Sequence, residues 1–274
     1  MVAQVHSVPV ESPAAACEVA VGAAHPRLLR HVVGYAGFRS GTREPVAHRL
    51  LALAYTTLVI DFDSPSGLVT GPRAEATAWG DSMWGHGVSV GLTPAGVAAL
   101  LGVPMGELAG ETVPLADLIG ARATELPGRL AAEPSWAARY KLLDMLLGGV
   151  LGPGRAFWAA DVPRATGPDR AVMVAWRRLQ RTGAPRIGEV AAELGVSRRN
   201  LERGFRRDVG LSPGSVARIS RFQRVAGQFG RGMALSAAAA DSGYADQAHL
   251  TREVRALAGV TPTQLRSLFQ HEPL

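Results

Sequence analysis

Five arginines crowd the stretch SRRNLERGFRRDVGLSP, Ser197 to Pro213: Arg198, Arg199, Arg203, Arg206 and Arg207. A guanidinium is a permanent cation with donors in a planar fork, so such a cluster suits phosphate oxygens and guanine edges. It also suits an ordinary solvated helix face. Further along, DQAHLTREVRALAGVTP carries Gln247, His249, Thr251, Arg252 and Arg255. Arg reads guanine, Gln reads adenine and the Thr methyl packs on thymine, so this mixed set is equipped to read base edges as well as charge.

The two stretches belong to a repeat. Ile187, Ala191 and Gly195 match Leu235, Ala239 and Gly243 at an offset of 48, with one extra residue in the second turn. Leu201, Arg203, Phe205, Arg206, Gly210 and Pro213 then match Leu250, Arg252, Val254, Arg255, Gly259 and Pro262 at an offset of 49. A unit used twice marks one supersecondary motif. In each copy a short helix runs into a glycine suited to a left-handed cap, and Ser197 or Asp246 is placed to cap a second helix. Leu201 with Phe205, and Leu250 with Val254, are four apart and face the core together. That is helix-turn-helix architecture over 187–213 and 235–262. It leaves Arg198, Arg199, Glu202, Arg203 and Arg206 outward in the first copy, and Gln247, Ala248, Thr251, Arg252 and Arg255 in the second.

Charge is distributed to match. Residues 171–274 hold 16 Arg and no Lys against 8 acids, whereas residues 1–170 hold 13 basic residues against 15 acids. A concentrated positive field favours phosphate backbones; an anionic membrane surface or RNA would answer to it too. The single cysteine, Cys17, excludes an internal disulfide and a Cys-rich zinc site, and no apolar run is long enough to span a membrane. A reducing, cytoplasmic and nucleoid-associated setting fits.

Residues 1–22, with Glu11 and Glu18 among apolar residues, read as a loosely ordered leader. TTLVIDF, GLVTG and GVSVGL predict short strands, TPAGVAALLG a helix capped by Thr93, and PSWAARYKLLDMLLGGVL a longer helix. Residues 23–151 are therefore expected to be a β-rich domain with trailing helices. Residues 152–169, with three Pro and three Gly, predict a linker, and 170–274 an all-helical domain. The fold class is α+β with two domains.

Residues 170–270 resemble the DNA-binding domain of AraC-type transcription regulators. Gly243, Tyr244, Leu250, Arg252, Val254, Gly259, Thr261, Pro262 and Arg266 carry the resemblance. Leu250 and Val254 stand where an aromatic is usual, and Ala248 where a polar contact residue often sits. The resemblance implies seven helices, a long helix near Pro213–Phe229 joining the two units, and recognition helices in successive major-groove segments about 34 Å apart. Around residues 25–150, GYAGFR, HRLLALAYTTLVIDF and VSVGLTPAGVAALLGVPMGELAGETVPLADLIG are similar to the sensing part of a subgroup with a cupin-like barrel. That implies an effector pocket and helices that dimerise.

The expected function is a sequence-specific, DNA-binding transcription regulator, with double-stranded DNA as partner. A small-molecule effector, a homodimer partner and, for an activator, RNA polymerase would complete the set. The DNA contacts expected are Arg198, Arg199, Glu202, Arg203, Arg206, Arg207, Gln247, His249, Thr251, Arg252 and Arg255, with Arg207 as a general phosphate contact. Tyr35, His48, Tyr55, Trp79, Trp84 and His86 are the candidates for lining a pocket. No cofactor, metal or catalytic residue is expected: GDSMWG lacks the final Gly of a nucleophile elbow, GHGVSVG is not a phosphate loop, and no histidines pair at ligand spacing. Two alternatives stay open, a first domain that only dimerises or docks partners, and an alkyl-transfer repair enzyme using Cys17.

Overall fold

The computed structural model describes residues 4–11, 17–42, 44–65, 67–151, 166–182 and 186–270. The expected linker falls mostly on residues 152–165, outside that set. Nine strands come first among the described residues: β1 (Ser7–Pro9), β2 (Glu18–Gly22), β3 (Val32–Arg39), β4 (Val46–Leu50), β5 (Thr56–Asp61), β6 (Leu68–Thr70), β7 (Thr77–Trp84), β8 (His86–Leu92) and β9 (Thr112–Pro114). They form two antiparallel sheets, ordered β1-β4-β7 and β2-β3-β8-β5-β6-β9.

β5 lies inside the larger sheet, and its β-branched run, Thr56 to Ile60, is buried on both faces. Period-two alternation separates those faces. One presents Tyr35, Leu58, Ile60, Val88 and Val90 to the main core. The other presents Phe38 and Val59 to Leu50 and Trp84 of the smaller sheet.

The strands do not begin where the sequence pattern suggests. Residues 7–9 and 18–22 are strands, not a loose leader: Ser7 to Pro9 pair with His48 to Leu50, and Val8 is 2% exposed. A three-residue strand is too short to show alternation, and its partner supplies the ladder from forty residues away.

Helices cover the main-core face. α1 (Pro94–Leu100) starts where Thr93 Oγ1 accepts the Gly96 N–H, with Pro94 in the first turn. α2 (Ala116–Ile119) and α3 (Glu125–Ala131) lead to α4 (Trp136–Leu151). Tyr140, Leu143 and Leu147 of α4 are buried, and Tyr140 donates its hydroxyl to the Ala20 carbonyl at 2.6 Å.

The remaining described residues are helical: α5 (Arg170–Thr182), α6 (Ile187–Glu193), α7 (Arg198–Asp208), α8 (Pro213–Gly230), α9 (Leu235–Asp241), α10 (Gln247–Ala258) and α11 (Pro262–Gln270). α8 joins the two helix-turn-helix units, as expected. One hydrophobic core runs through both halves of the chain, and polar groups tie it together. Trp176 Nε1 donates to the Ala54 carbonyl at 2.9 Å. Gln223, 1% exposed, donates to the carbonyls of Val5 and Ala52 and accepts the Val5 N–H. The turn at Met105–Leu108 packs against the end of α7, where a Cβ on Gly106 would meet the Arg207 carbonyl.

Candidate nucleic-acid interface

Each helix-turn-helix unit is built by the residues that the repeat singled out. In the first, Gly195 has φ 66°, and the Val196 N–H returns to the Ala191 carbonyl, closing α6. Ser197 Oγ then accepts the Asn200 N–H at 3.1 Å and starts α7. In the second, Gly243 has φ 71°, Tyr244 N–H returns to the Ala239 carbonyl, and Asp246 accepts the His249 N–H at 2.6 Å to start α10. Leu201, Phe205, Leu250 and Val254 are all buried, at 2% exposure or less. Gly204 must be small, because a Cβ there would lie 2.6 Å from Val172 Cγ2.

Burying those residues turns the expected contacts outward. Arg198, Arg199, Arg203, Arg206 and Arg207 are exposed, and Glu202 is half-buried. They are not equivalent. Arg198 Nε pairs with Glu202 at 2.9 Å, and Arg203 donates to the Asn200 side chain at 2.6 Å. Arg207 grips Asp208 through two bonds, 2.6 and 2.9 Å, and buried Asp208 also accepts the Asp169 N–H. Those bonds hold the Arg207 guanidinium above its ordinary pKa and tie it to the start of α5. Arg199 and Arg206 have no such partner in the described structure, so their donors are free for an external anion.

On α10, Gln247, Arg252 and Arg255 are exposed. Thr251 donates its hydroxyl back to the Gln247 carbonyl at 2.8 Å, which commits the hydroxyl to the helix itself. The His249 ring sits edge-on to Tyr244 at 5.3 Å, so it supports the turn as well as edging the surface. The joining helix α8 bears three half-buried arginines, Arg218, Arg221 and Arg224, that the sequence pattern does not single out. Arg218 pairs with Glu253 of α10 at 2.8 Å.

The six residues expected around a pocket divide among different places. His48 stacks on Trp84 at 4.8 Å between the two sheets. His6, which was not among the pocket candidates, joins them 6.0 Å from Trp84 and bonds Thr70 Oγ1 at 2.7 Å. Desolvation, then Arg73 and His48, hold the His6 pKa down to about 3; desolvation holds His48 down to about 4. Tyr35 lies on the opposite face of the larger sheet, stacked on Tyr140 at 5.5 Å and donating to Asp144. Burial and that bond raise its pKa. Tyr55 is buried against Gly91. His86 is edge-on to Phe62 and Trp136, 4.7 and 5.8 Å away. Trp79 belongs to β7, and its side chain lies outside the described set. Among the described residues, no group of three or more His, Cys, Asp or Glu is placed to hold a metal ion, and no helix is long and apolar enough to cross a membrane.

Comparison with known proteins adds to this geometry. A helix-turn-helix domain family model matches residues 190–267. No curated protein sequence matches the chain. Among solved structures, a probable AraC family transcriptional regulator from Rhodopseudomonas palustris is 24% identical, over 38% of this chain and 100% of that one, with a TM-score of 0.34. A DNA-binding transcriptional dual regulator from Escherichia coli is 20% identical, over 39% and 96%, at 0.34. ToxT from Vibrio cholerae is 12% identical, over 92% and 97%, at 0.44.

Proposed function

We propose, from the premise that residues 190–267 are a helix-turn-helix domain of the AraC type, that this protein is a sequence-specific DNA-binding transcription regulator. One observation carries the reading. Two successive units are each closed by a left-handed glycine and a side-chain cap, and each turns outward a face bearing arginines with no ion-pair partner among the described residues. A merely structural bundle has no need of Arg199, Arg206, Arg252 and Arg255 held outward on two repeated scaffolds.

α7 supplies mainly charge, and α10 supplies Gln247, Arg252 and the Thr251 methyl for base edges. Residues 170–274 form the DNA-binding domain and residues 23–151 the domain that controls it, with further strands from residues 7–9 and 18–22. No chemistry is assigned to Cys17, which is buried. Control works through contact, since the first domain touches α7, α8 and α10 directly. An effector entering between the sheets would meet His6, His48 and Trp84. A docking role for the same domain is favoured by a groove of about 500 Å³ along α4, flanked by Met145, which is 62% exposed. A homodimer partner or RNA polymerase would be received on such a surface.

The test is enrichment of random duplexes on the full chain at a stated salt concentration. A defined motif is expected. Recovery of unenriched DNA would contradict the reading.

A further inference from the structure

We infer that the first domain is a rigid spacer for the two recognition helices. It holds them by equivalent ends and so sets which separation of DNA segments the protein accepts, with Gly106 and Arg73 as positioning residues. That role rests on the regulator reading; the contacts do not.

The repeat makes Gly210 and Gly259 equivalent, at an offset of 49. Each is the left-handed glycine that follows its recognition helix, with φ of 80° and 69°. Both lie against the first domain. A Cβ on Gly210 would be 2.4 Å from Ala109 Cβ, and one on Gly259 would be 2.8 Å from Arg49 Nη1 and 3.4 Å from Ala76 Cβ. The contacts continue into the helices. A Cβ on Gly106 would sit 2.3 Å from the Arg207 carbonyl of α7, and the Ala52 N–H donates to the Leu257 carbonyl of α10 at 2.8 Å.

Hydrogen bonds join the two holding points to each other. Leu53 and Arg73 exchange both backbone bonds, at 3.0 and 2.9 Å. The Gly110 N–H donates to the Pro72 carbonyl and the Gly71 N–H to the Glu111 carbonyl, each at 2.9 Å. Arg73, 6% exposed, closes the junction: its guanidinium donates to the carbonyls of Gly71 and Glu111 and to Thr112 Oγ1. A buried cation committed to these oxygens fixes the loop, since any donor it left unmatched would be costly. Residues 49–54 and 106–110 therefore move together.

Neither contact covers the reading surface. Arg199, Arg203, Gln247 and Arg252 stay exposed, so the first domain aims the two faces rather than masking them. α8 joins the units through the chain; the first domain joins them again through packing. One inserted base pair displaces the second DNA segment by about 3.4 Å and turns it by about a tenth of a turn. A rigidly held pair of helices cannot follow.

The experiment uses the full chain, Gly106→Ala, Arg73→Met and Arg73→Lys. Gly106 is outside the left-handed region, so alanine suits its backbone, and the added methyl presses on the Arg206 and Arg207 carbonyls of α7. Arg73→Met removes the donors; Arg73→Lys keeps the charge and some of them. Affinity is measured on the enriched duplex and on versions with one base pair added or removed between the two contacted segments. Wild type is expected to lose at least about tenfold on either altered spacing. Gly106→Ala and Arg73→Met are expected to shrink that ratio to within about threefold or to shift the preferred spacing, and Arg73→Lys to restore part of it. A variant that is only less stable loses affinity on every spacing alike and keeps the ratio, because unfolded chain binds none of them.

The wild-type ratio retained in whichever of Gly106→Ala and Arg73→Met folds would overturn the proposal, because α8 alone then sets the separation. So would a wild type indifferent to spacing. In both cases an enriched duplex is still bound and the regulator reading stands. A chain that enriches no duplex sinks both.

Discussion

The Ala52 backbone N–H donates to the Leu257 carbonyl at 2.8 Å, so a loop of the first domain closes the last turn of the second recognition helix. The carbonyls of a helix's last turn have no intrahelical donor. Here one of them is satisfied from across the domain boundary, and Gln223 of α8 bonds the Ala52 carbonyl on the other side of the same residue. The orientation of α10 is therefore coupled to the position of residues 51–54.

Gln223 carries much of that coupling. Its amide makes three bonds, to Val5 twice and to Ala52, at 2.8 to 3.0 Å. Gln223→Ala strands those buried backbone groups and is expected to destabilise the full chain by about 2–4 kcal/mol. Urea denaturation reads this as a lower midpoint. A loss under about 0.5 kcal/mol would mean that water replaces the amide without cost.

Arg199 and Arg207 are expected to separate affinity from stability. Arg199 has no internal partner in the described structure, so Arg199→Ala should weaken DNA binding and leave the thermal midpoint unchanged. Arg207 neutralises Asp208, whose side chain is 6% exposed. Arg207→Ala should therefore lower stability by about 1–3 kcal/mol through a buried carboxylate left short of partners. This adds a structural role to the phosphate contact expected of Arg207 from the sequence. Affinity loss without stability loss in Arg207→Ala would restore the simpler view.

Acid should loosen the first domain. His6 and His48 are held down to about 3 and about 4, and desolvation lowers His31 and His86 as well. The folded state resists protons that the unfolded chain accepts below about 6.5. Stability is thus fully present above that pH and falls as pH drops from about 6.5 toward 4. At pH 5.5, His6 and His48 together should account for about 1–3 kcal/mol of loss. His6→Gln and His48→Gln should flatten the pH dependence of the melting temperature between 7 and 5. Unaltered pH dependence in the double variant would contradict the assignment.

The helix-turn-helix half was legible in the sequence because its determinants are local. Gly195 and Gly243, Ser197 and Asp246, and Leu201 with Phe205 act within one or two turns of themselves, and the repeat displays them twice. β5 and β8 were legible from their β-branched runs. What escaped depends on distant partners. β1 is a strand because β4 lies beside it, and His6 matters only because Trp84 and Thr70 close around it. The α8 arginines carry no signal in the sequence, since Glu253 and Tyr244, which meet Arg218 and Arg221, belong to other segments. Trp84 and His48 were picked out by residue type and do meet; Tyr35 and His86, picked the same way, fall elsewhere, because alternation assigns faces only once strand bounds are known.

The most direct measurement is a base-resolved footprint of the full chain on an enriched duplex, repeated with Arg252→Ala. Two protected major-groove segments about one helical turn apart on one face are predicted. Arg252→Ala should cost about 1–3 kcal/mol on that duplex and relax one base position within a single segment. Protection of only one segment, or an equal loss for Arg252→Ala on the enriched duplex and on random DNA, would contradict a protein that reads sequence with both helices.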